Sequence, residues 1–233
     1  MTKYIKAKFK ECPNRFIAKV EIDGKEEIAH VPNTGRCKEL LTPNTIVYLL
    51  PSDNPNRKTK YSLHFVENRG YLVSIYSSQA NEIVYEAIKA KKIKELNGYN
   101  NIKKEKTVGN SRIDLFLEDE KKKHPDCYIE VKGVTLVKDK TAIFPDAPTE
   151  RGKKHLEELI ELKRQGFRAI VFFLIQHPLG NSFKPNWETD LNFSKMLQIA
   201  EKEGVEILVY KTINSLDKIE IDENSVEYDL SNH

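Results

Sequence analysis

Up to about residue 75 the chain is built from short runs in which apolar and polar residues alternate. They lie at 4–9, 15–22, 27–31, 45–50 and 61–66, separated by turn residues such as Asp23-Gly24. Strand side chains point alternately to opposite faces, so this spacing predicts a five-stranded antiparallel β unit with one face inward. Beyond residue 75 the period lengthens. Apolar Ile83, Val84, Ala87 and Ile88 predict a helix over 81–96 that opens on an Asn81 cap and stops at Asn97-Gly98. Strands are expected at 102–108, 112–117 and 127–137, then a helix over 149–165 ended by Gly166. The run at 168–175 is nearly all apolar, as in a central strand covered on both faces, and a helix at 191–203 and a strand at 205–211 follow. This α-β-β-β-α-β succession places Asp114 and Glu130 on neighbouring strands.

With 233 residues there is room for two modest domains, here bounded as 1–75 and 76–216 with an acidic tail at 217–233. Charge is uneven: the balance is +5 over residues 1–80, +3 over 81–216 and −5 from 217 onward. A mild total of +3 is ordinary for solubility, yet still allows a positive face toward a phosphate backbone. There is no run of eighteen apolar residues, and the first eight residues lack the apolar stretch of a signal peptide, so a cytoplasmic protein without membrane partners is expected. Cys12, Cys37 and Cys127 are an odd number without metal-type pairing, which predicts reduced thiols rather than disulfides or zinc.

The candidate chemistry is concentrated in Ser111-Arg-Ile-Asp114 and Tyr128-Ile-Glu-Val-Lys-Gly133. Glu130 and Lys132 are two apart on one strand and therefore share a face. Charges within a largely apolar run need a partner ion or a water-filled cleft. Two carboxylates converging on Mg²⁺ or Mn²⁺, with Lys132 beside them to hold or deprotonate a water, meet the needs of phosphodiester hydrolysis. Glu130 and Lys132 also fit an ordinary salt bridge on a half-exposed strand.

Two loops of the first domain are suited to phosphate. Residues 52–61 place Arg57, Lys58 and Lys60 beside Tyr61 between two strands; a solvated hairpin tip is the alternative. Residues 33–41 read as a short helix after a Gly turn, with Leu40 and Leu41 inward and Arg36 and Lys38 outside, and without the lysine pattern of a nucleotide-binding loop. At the entry to the second-domain helix, Thr149 is a candidate cap that leaves Arg151, Lys154 and His155 toward a phosphate. His155 has no second His at ligand spacing, which argues against a metal role.

Five segments carry a family resemblance: Val31-Pro-Asn-Thr-Gly-Arg36, Asn81 with Glu86-Ala-Ile, Ser111-Arg-Ile-Asp114, Cys127-Tyr-Ile-Glu-Val-Lys-Gly-Val-Thr-Leu136 and Phe144-Pro-Asp-Ala-Pro-Thr-Glu-Arg-Gly-Lys-Lys-His-Leu156. The chain resembles the sugar fermentation stimulation proteins, SfsA, over nearly its whole length. The resemblance implies an α/β (α+β) architecture: an N-terminal OB-like five-stranded β-barrel and a C-terminal PD-(D/E)XK nuclease-like αβββαβ domain. It also implies DNA binding and a link to maltose metabolism. By the same analogy Glu86 on the first helix joins or supports the metal site and Glu105 matches a further family acid; the Val131 carbonyl is a candidate to complete the metal shell, and Asp146 to hold its loop or a second cation. Glu86 reads equally as a surface charge, and Glu105 sits among Lys103, Lys104 and Lys106 in a plainly charged strand.

Three functions compete on this reading: a metal-dependent nuclease that binds DNA without base preference, a non-catalytic DNA-binding regulator of sugar metabolism, and an enzyme on a phosphorylated small molecule. Strandedness and oligomeric state, a homo-oligomer included, are left open. The joint presence of Asp114, Glu130 and Lys132 favours a retained hydrolytic site.

Overall fold

The computed structural model describes residues 4–33, 35, 37–54, 56–77, 79–108 and 111–232, without the Ser111 side chain. The alternating runs form β1 (Ile5–Asn14), β2 (Ile17–Ile22), β3 (Lys25–His30), β4 (Ile46–Pro51), β5 (Tyr61–Asn68) and β6 (Tyr71–Ser74). Their order is β3-β2-β1-β4-β5-β6, and an added β3–β5 pairing closes the first five into a barrel. That closing pair is parallel, whereas the other pairs are antiparallel. Ala7, Phe9, Ala18, Val20, Val47, Leu49 and Leu63 fill the interior, which is why the sequence alternates as it does. The helix expected within 33–41 is replaced, among the described residues, by turns. Cys37 has φ 44°, off the helical region, and Leu40 alone of the leucine pair is buried.

The second unit runs α1 (Gln79–Lys89), β7 (Asn101–Val108), β8 (Ser111–Glu118), β9 (Cys127–Val134), β10 (Val137–Lys138), β11 (Thr141–Phe144), α2 (Glu150–Arg164), β12 (Arg168–Ile175), β13 (Ser182–Pro185), α3 (Leu191–Lys202), β14 (Glu206–Asn214) and β15 (Ile219–Ser225). Its main sheet has the order β15-β14-β12-β9-β8-β7, parallel where β12 meets β9 and β14. The α1 face Ile83, Val84, Ala87 and Ile88 packs on one side with Leu115, Ile129, Val131 and Phe172. Leu156 and Leu159 of α2 and Phe193 and Leu197 of α3 pack on the other with Val171 and Phe173. Coverage on both faces explains the unbroken apolar run of β12.

Three expectations are corrected. Helix α1 starts two residues before Asn81 and ends at Lys89, and the left-handed Lys91 (φ 58°) separates it from a 3₁₀ turn at Lys94–Leu96. Asn81 therefore caps nothing. The strand expected over 127–137 divides into β9 and β10, and β10 joins β11 and β13 in a small separate sheet. The acidic end is no free tail: β15 pairs with β14, Ile221 is buried against the α1 side, and Leu230 is buried on the α2 side. Its charges face outward while its sparse apolar residues pack inward.

The two units meet through hydrogen bonds that the sequence does not announce. The Ser74 amide donates to the Gln176 carbonyl at 3.2 Å, and Asn214 Nδ2 donates to the carbonyls of Leu72 at 2.8 Å and Gln176 at 3.1 Å.

Candidate functional site

A cleft of about 440 Å³ opens at this junction, lined from the barrel by Asn33 and Gly35 and from the second unit by Asn81, Asp114, Glu130, Val131, Lys132, Asp146, Thr149, Arg151 and His155, among others. The antiparallel pairing of β8 with β9 sets Asp114 beside Glu130 and Val131. Asp114 Oδ2 accepts the Val131 amide at 2.8 Å and Oδ1 accepts Asn81 Nδ2 at 2.7 Å. The asparagine expected to cap α1 is thus a donor to the candidate acid.

Glu130 is only 3% exposed. Its Oε1 accepts Lys132 Nζ at 2.7 Å and also pairs with His155 Nδ1. Its other oxygen, Oε2, is buried and has no hydrogen-bond partner. Burial drives Glu130 upward, but the His155 hydrogen bond and the Lys132 charge outweigh it and hold the carboxyl below the ordinary glutamate value. Asp114 moves the opposite way. Burial, then the neighbouring Glu130 charge, push it from 3.8 up to about 6. A shielded carboxylate oxygen without a donor is costly, as are two adjacent carboxylates in a desolvated site. A divalent cation between them would relieve both, so the donor set fits a hard, oxygen-seeking ion. Among the described residues no three His, Cys, Asp or Glu side chains form a cage. Any ion here would depend on backbone, water or substrate oxygens beyond the two acids.

The second wall is the loop into α2, which includes the cis Phe144–Pro145 peptide. Thr149 caps α2 as expected, accepting the Gly152 amide at 3.0 Å, while its own amide donates to Asp190 Oδ2 at 2.8 Å. Asp190 also caps α3 through the Phe193 amide, so one carboxylate ties the two helix entries together. Asn186 holds the loop by donating to the Pro145 carbonyl at 2.8 Å. Asp146 seats its carboxylate against Gly35: a Cβ there would lie 2.3 Å from Asp146 Oδ2, so a side chain at this position would push the carboxylate aside.

The remaining candidates scatter. Arg151 is exposed at the cleft and donates from Nε to His155 Nε2 at 3.3 Å. His155 itself is 6% exposed and turned to Glu130, not outward toward a phosphate. Lys154 is exposed and pairs with Glu158 at 3.6 Å. Glu86 pairs with Lys89 at 3.2 Å and lines a different groove, between α1 and β15, away from the two acids. Glu105, at φ 61°, interrupts the β7–β8 ladder and pairs with exposed Arg112. Lys38, Arg57, Lys58 and Lys60 are exposed on the barrel, with Tyr61 half-buried and Arg57 anchored on Ser62 Oγ at 3.0 Å. Arg36 lies outside the described residues. No local sequence signal marks Gln176 or the reach of Asp190 to Thr149, whereas Asn33 stands within Val31-Pro-Asn-Thr-Gly-Arg36.

The family model described as the sugar fermentation stimulation protein RE domain matches residues 78–218, and that described as the SfsA N-terminal OB domain matches 11–75. A sugar fermentation stimulation protein homolog of Methanobrevibacter smithii is 61% identical over 235 residues, covering 98% of each chain. One from Clostridium perfringens is 48% identical over 222 residues, 95% of each. The solved structure of Pyrococcus furiosus SfsA in complex with Ca²⁺ superposes with a TM-score of 0.89 at 31% identity, over 98% of each chain.

Proposed function

Since the chain belongs to the sugar fermentation stimulation protein family, we propose that it binds DNA without base preference and that its cleft carries a Mg²⁺- or Mn²⁺-dependent phosphodiesterase site. One observation carries this reading: beside an Asp114 made hard to ionise by burial and then by its neighbour, Glu130 keeps a buried, partnerless Oε2 while Lys132 stands at 2.7 Å from the other oxygen. The Ca²⁺ complex of the Pyrococcus furiosus relative supports the same class of cation here. Asp114, Glu130 and the Val131 carbonyl would hold the ion, which when bound polarises a phosphoryl oxygen and acidifies water.

The side chains supply the rest. Lys132 Nζ, a donor to Glu130 at 2.7 Å, can also donate to the attacking water and orient it. Arg151, exposed at the rim, presents guanidinium donors to a phosphate. The barrel contributes Arg57, Lys58 and Lys60, charges that grip a phosphate backbone without reading bases. Cytoplasmic residence is part of the proposal; no helix among the described residues is long and apolar enough to cross a membrane.

The test is incubation of single- and double-stranded DNA with wild type, Glu130→Gln and Lys132→Ala in Mn²⁺ over several days. Cleavage by wild type alone, or by wild type and weakly by Lys132→Ala, supports the nuclease. Binding of DNA and of Mn²⁺ without cleavage assigns the non-catalytic regulator instead.

A further inference from the structure

Glu130 has two oxygens in opposite situations, and the residue that separates them is His155. Arg151 Nε always carries its proton, and it points that proton at His155 Nε2 from 3.3 Å. Nε2 must then be the accepting nitrogen, which leaves the ring proton on Nδ1, the nitrogen paired with Glu130 Oε1. Lys132 Nζ lies 3.1 Å from the same Nδ1 and 2.7 Å from Oε1. Both nitrogens are donors, so they converge on Oε1 rather than bond each other. Oε1 is thereby saturated, and Oε2 is left in the cleft wall with nothing donating to it.

We propose that His155 is a positioning residue: Arg151 fixes its tautomer, and its Nδ1–H fixes Glu130 so that Oε2 alone is reserved for the divalent cation. This rests on the reading that a cation binds between Asp114 and Glu130. The geometry assigns a task to a buried histidine, and it gives Arg151 a role distinct from holding phosphate. The arrangement is the carboxylate–histidine pairing of metal sites run in reverse order, with the carboxylate as ligand and the ring as its orienting neighbour.

Two measurements on the full chain decide it. In ¹⁵N-labelled protein without metal, the ring nitrogens of His155 should show the Nδ1–H tautomer, and Arg151→Ala, a change at an exposed position, should release the ring to a mixture. Calorimetric titration with Mn²⁺ should show His155→Ala weakened about 10- to 100-fold, the range typical for loss of a ligand's orienting partner. His155→Asn, whose amide can donate from near the position of Nδ1, should recover most of that affinity. A general packing defect would not be rescued by the smaller polar side chain. If Glu130→Gln titrates like wild type, or wild type takes up no Mn²⁺, the metal reading itself falls and this inference with it. If Glu130→Gln loses Mn²⁺ while His155→Ala keeps wild-type affinity, or if His155 carries its proton on Nε2, only the positioning role is overturned.

Discussion

Neutralising Asp114 should make the metal-free protein more stable, at the expense of metal binding. Burial and the Glu130 charge raise its carboxyl from 3.8 to about 6. That rise corresponds to about 3 kcal/mol by which the fold disfavours the ionised form at neutral pH. Asp114 is half-buried in a cleft open to solvent, so screening leaves roughly half, about 1.5 kcal/mol. Asp114→Asn removes that cost and can keep both hydrogen bonds: the new amide oxygen accepts the Val131 N–H, and its NH₂ meets the Asn81 carbonyl oxygen once that side chain flips. At roughly 2–4 °C per kcal/mol for a chain this size, the variant should melt about 3–6 °C above wild type in chelator at pH 7.5.

The pH dependence follows from the sign of the shift. Between about pH 4 and pH 6 the folded state keeps the Asp114 proton that the unfolded chain has lost, so the Asp114 contribution to wild-type stability falls with rising pH, and the variant lacks that contribution. The advantage should be absent below about pH 4 and complete above about pH 6–7. Adding Mn²⁺ at a hundred times its Kd should then raise wild type by about 2.7 kcal/mol, leave the variant unmoved and reverse their order. A variant that melts with or below wild type at pH 7.5 without metal, or an advantage that persists at pH 4, would refute the electrostatic reasoning.

Three further outcomes are expected. Lys132→Ala should keep Mn²⁺ affinity within about threefold while slowing cleavage by roughly 10²–10⁴, checked by titration beside single-turnover assays. DNA binding should weaken with salt, and replacing Arg57, Lys58 and Lys60 together by Ala should reduce the log–log slope on duplex by up to about 2.7, at about 0.9 per phosphate; an unchanged slope moves the contact surface elsewhere. Asp190→Ala removes the α3 cap and the acceptor of the Thr149 amide at once, so denaturant unfolding should show a loss of about 1–2 kcal/mol.

Much of this was legible because it is periodic. The alternation around Ala18 and Val20 and the 3.6-residue spacing of Ile83, Val84, Ala87 and Ile88 are set by burial, and burial is what a local pattern records. Asp114 and Glu130 were placed together because their strands were recognisable. Asn81 looked like a helix cap since asparagine caps helices well, and nothing local says that its amide is claimed by an acid 33 positions later. His155 lies among basic residues in sequence yet points inward, because the α2 register carries it to the buried face with Leu156 and Leu159. Asp190 and Gln176 act through contacts across the fold; of the two readings open for Glu86, the analogy set it near the acids, while the helix turns it to another groove. The acidic end was judged by its charges, whereas Ile221 and Leu230 decide where it packs.

The central claim is that Glu130 Oε2 and Asp114 share a divalent cation. It is tested most directly by anomalous diffraction from a crystal of the full chain soaked in Mn²⁺. A peak between Asp114 and Glu130, within about 2.0–2.4 Å of Oε2 and of an Asp114 oxygen and lost in Glu130→Gln, is the expected result. A soaked crystal with no peak there, or with Mn²⁺ bound only elsewhere while Oε2 stays unliganded, would contradict the account.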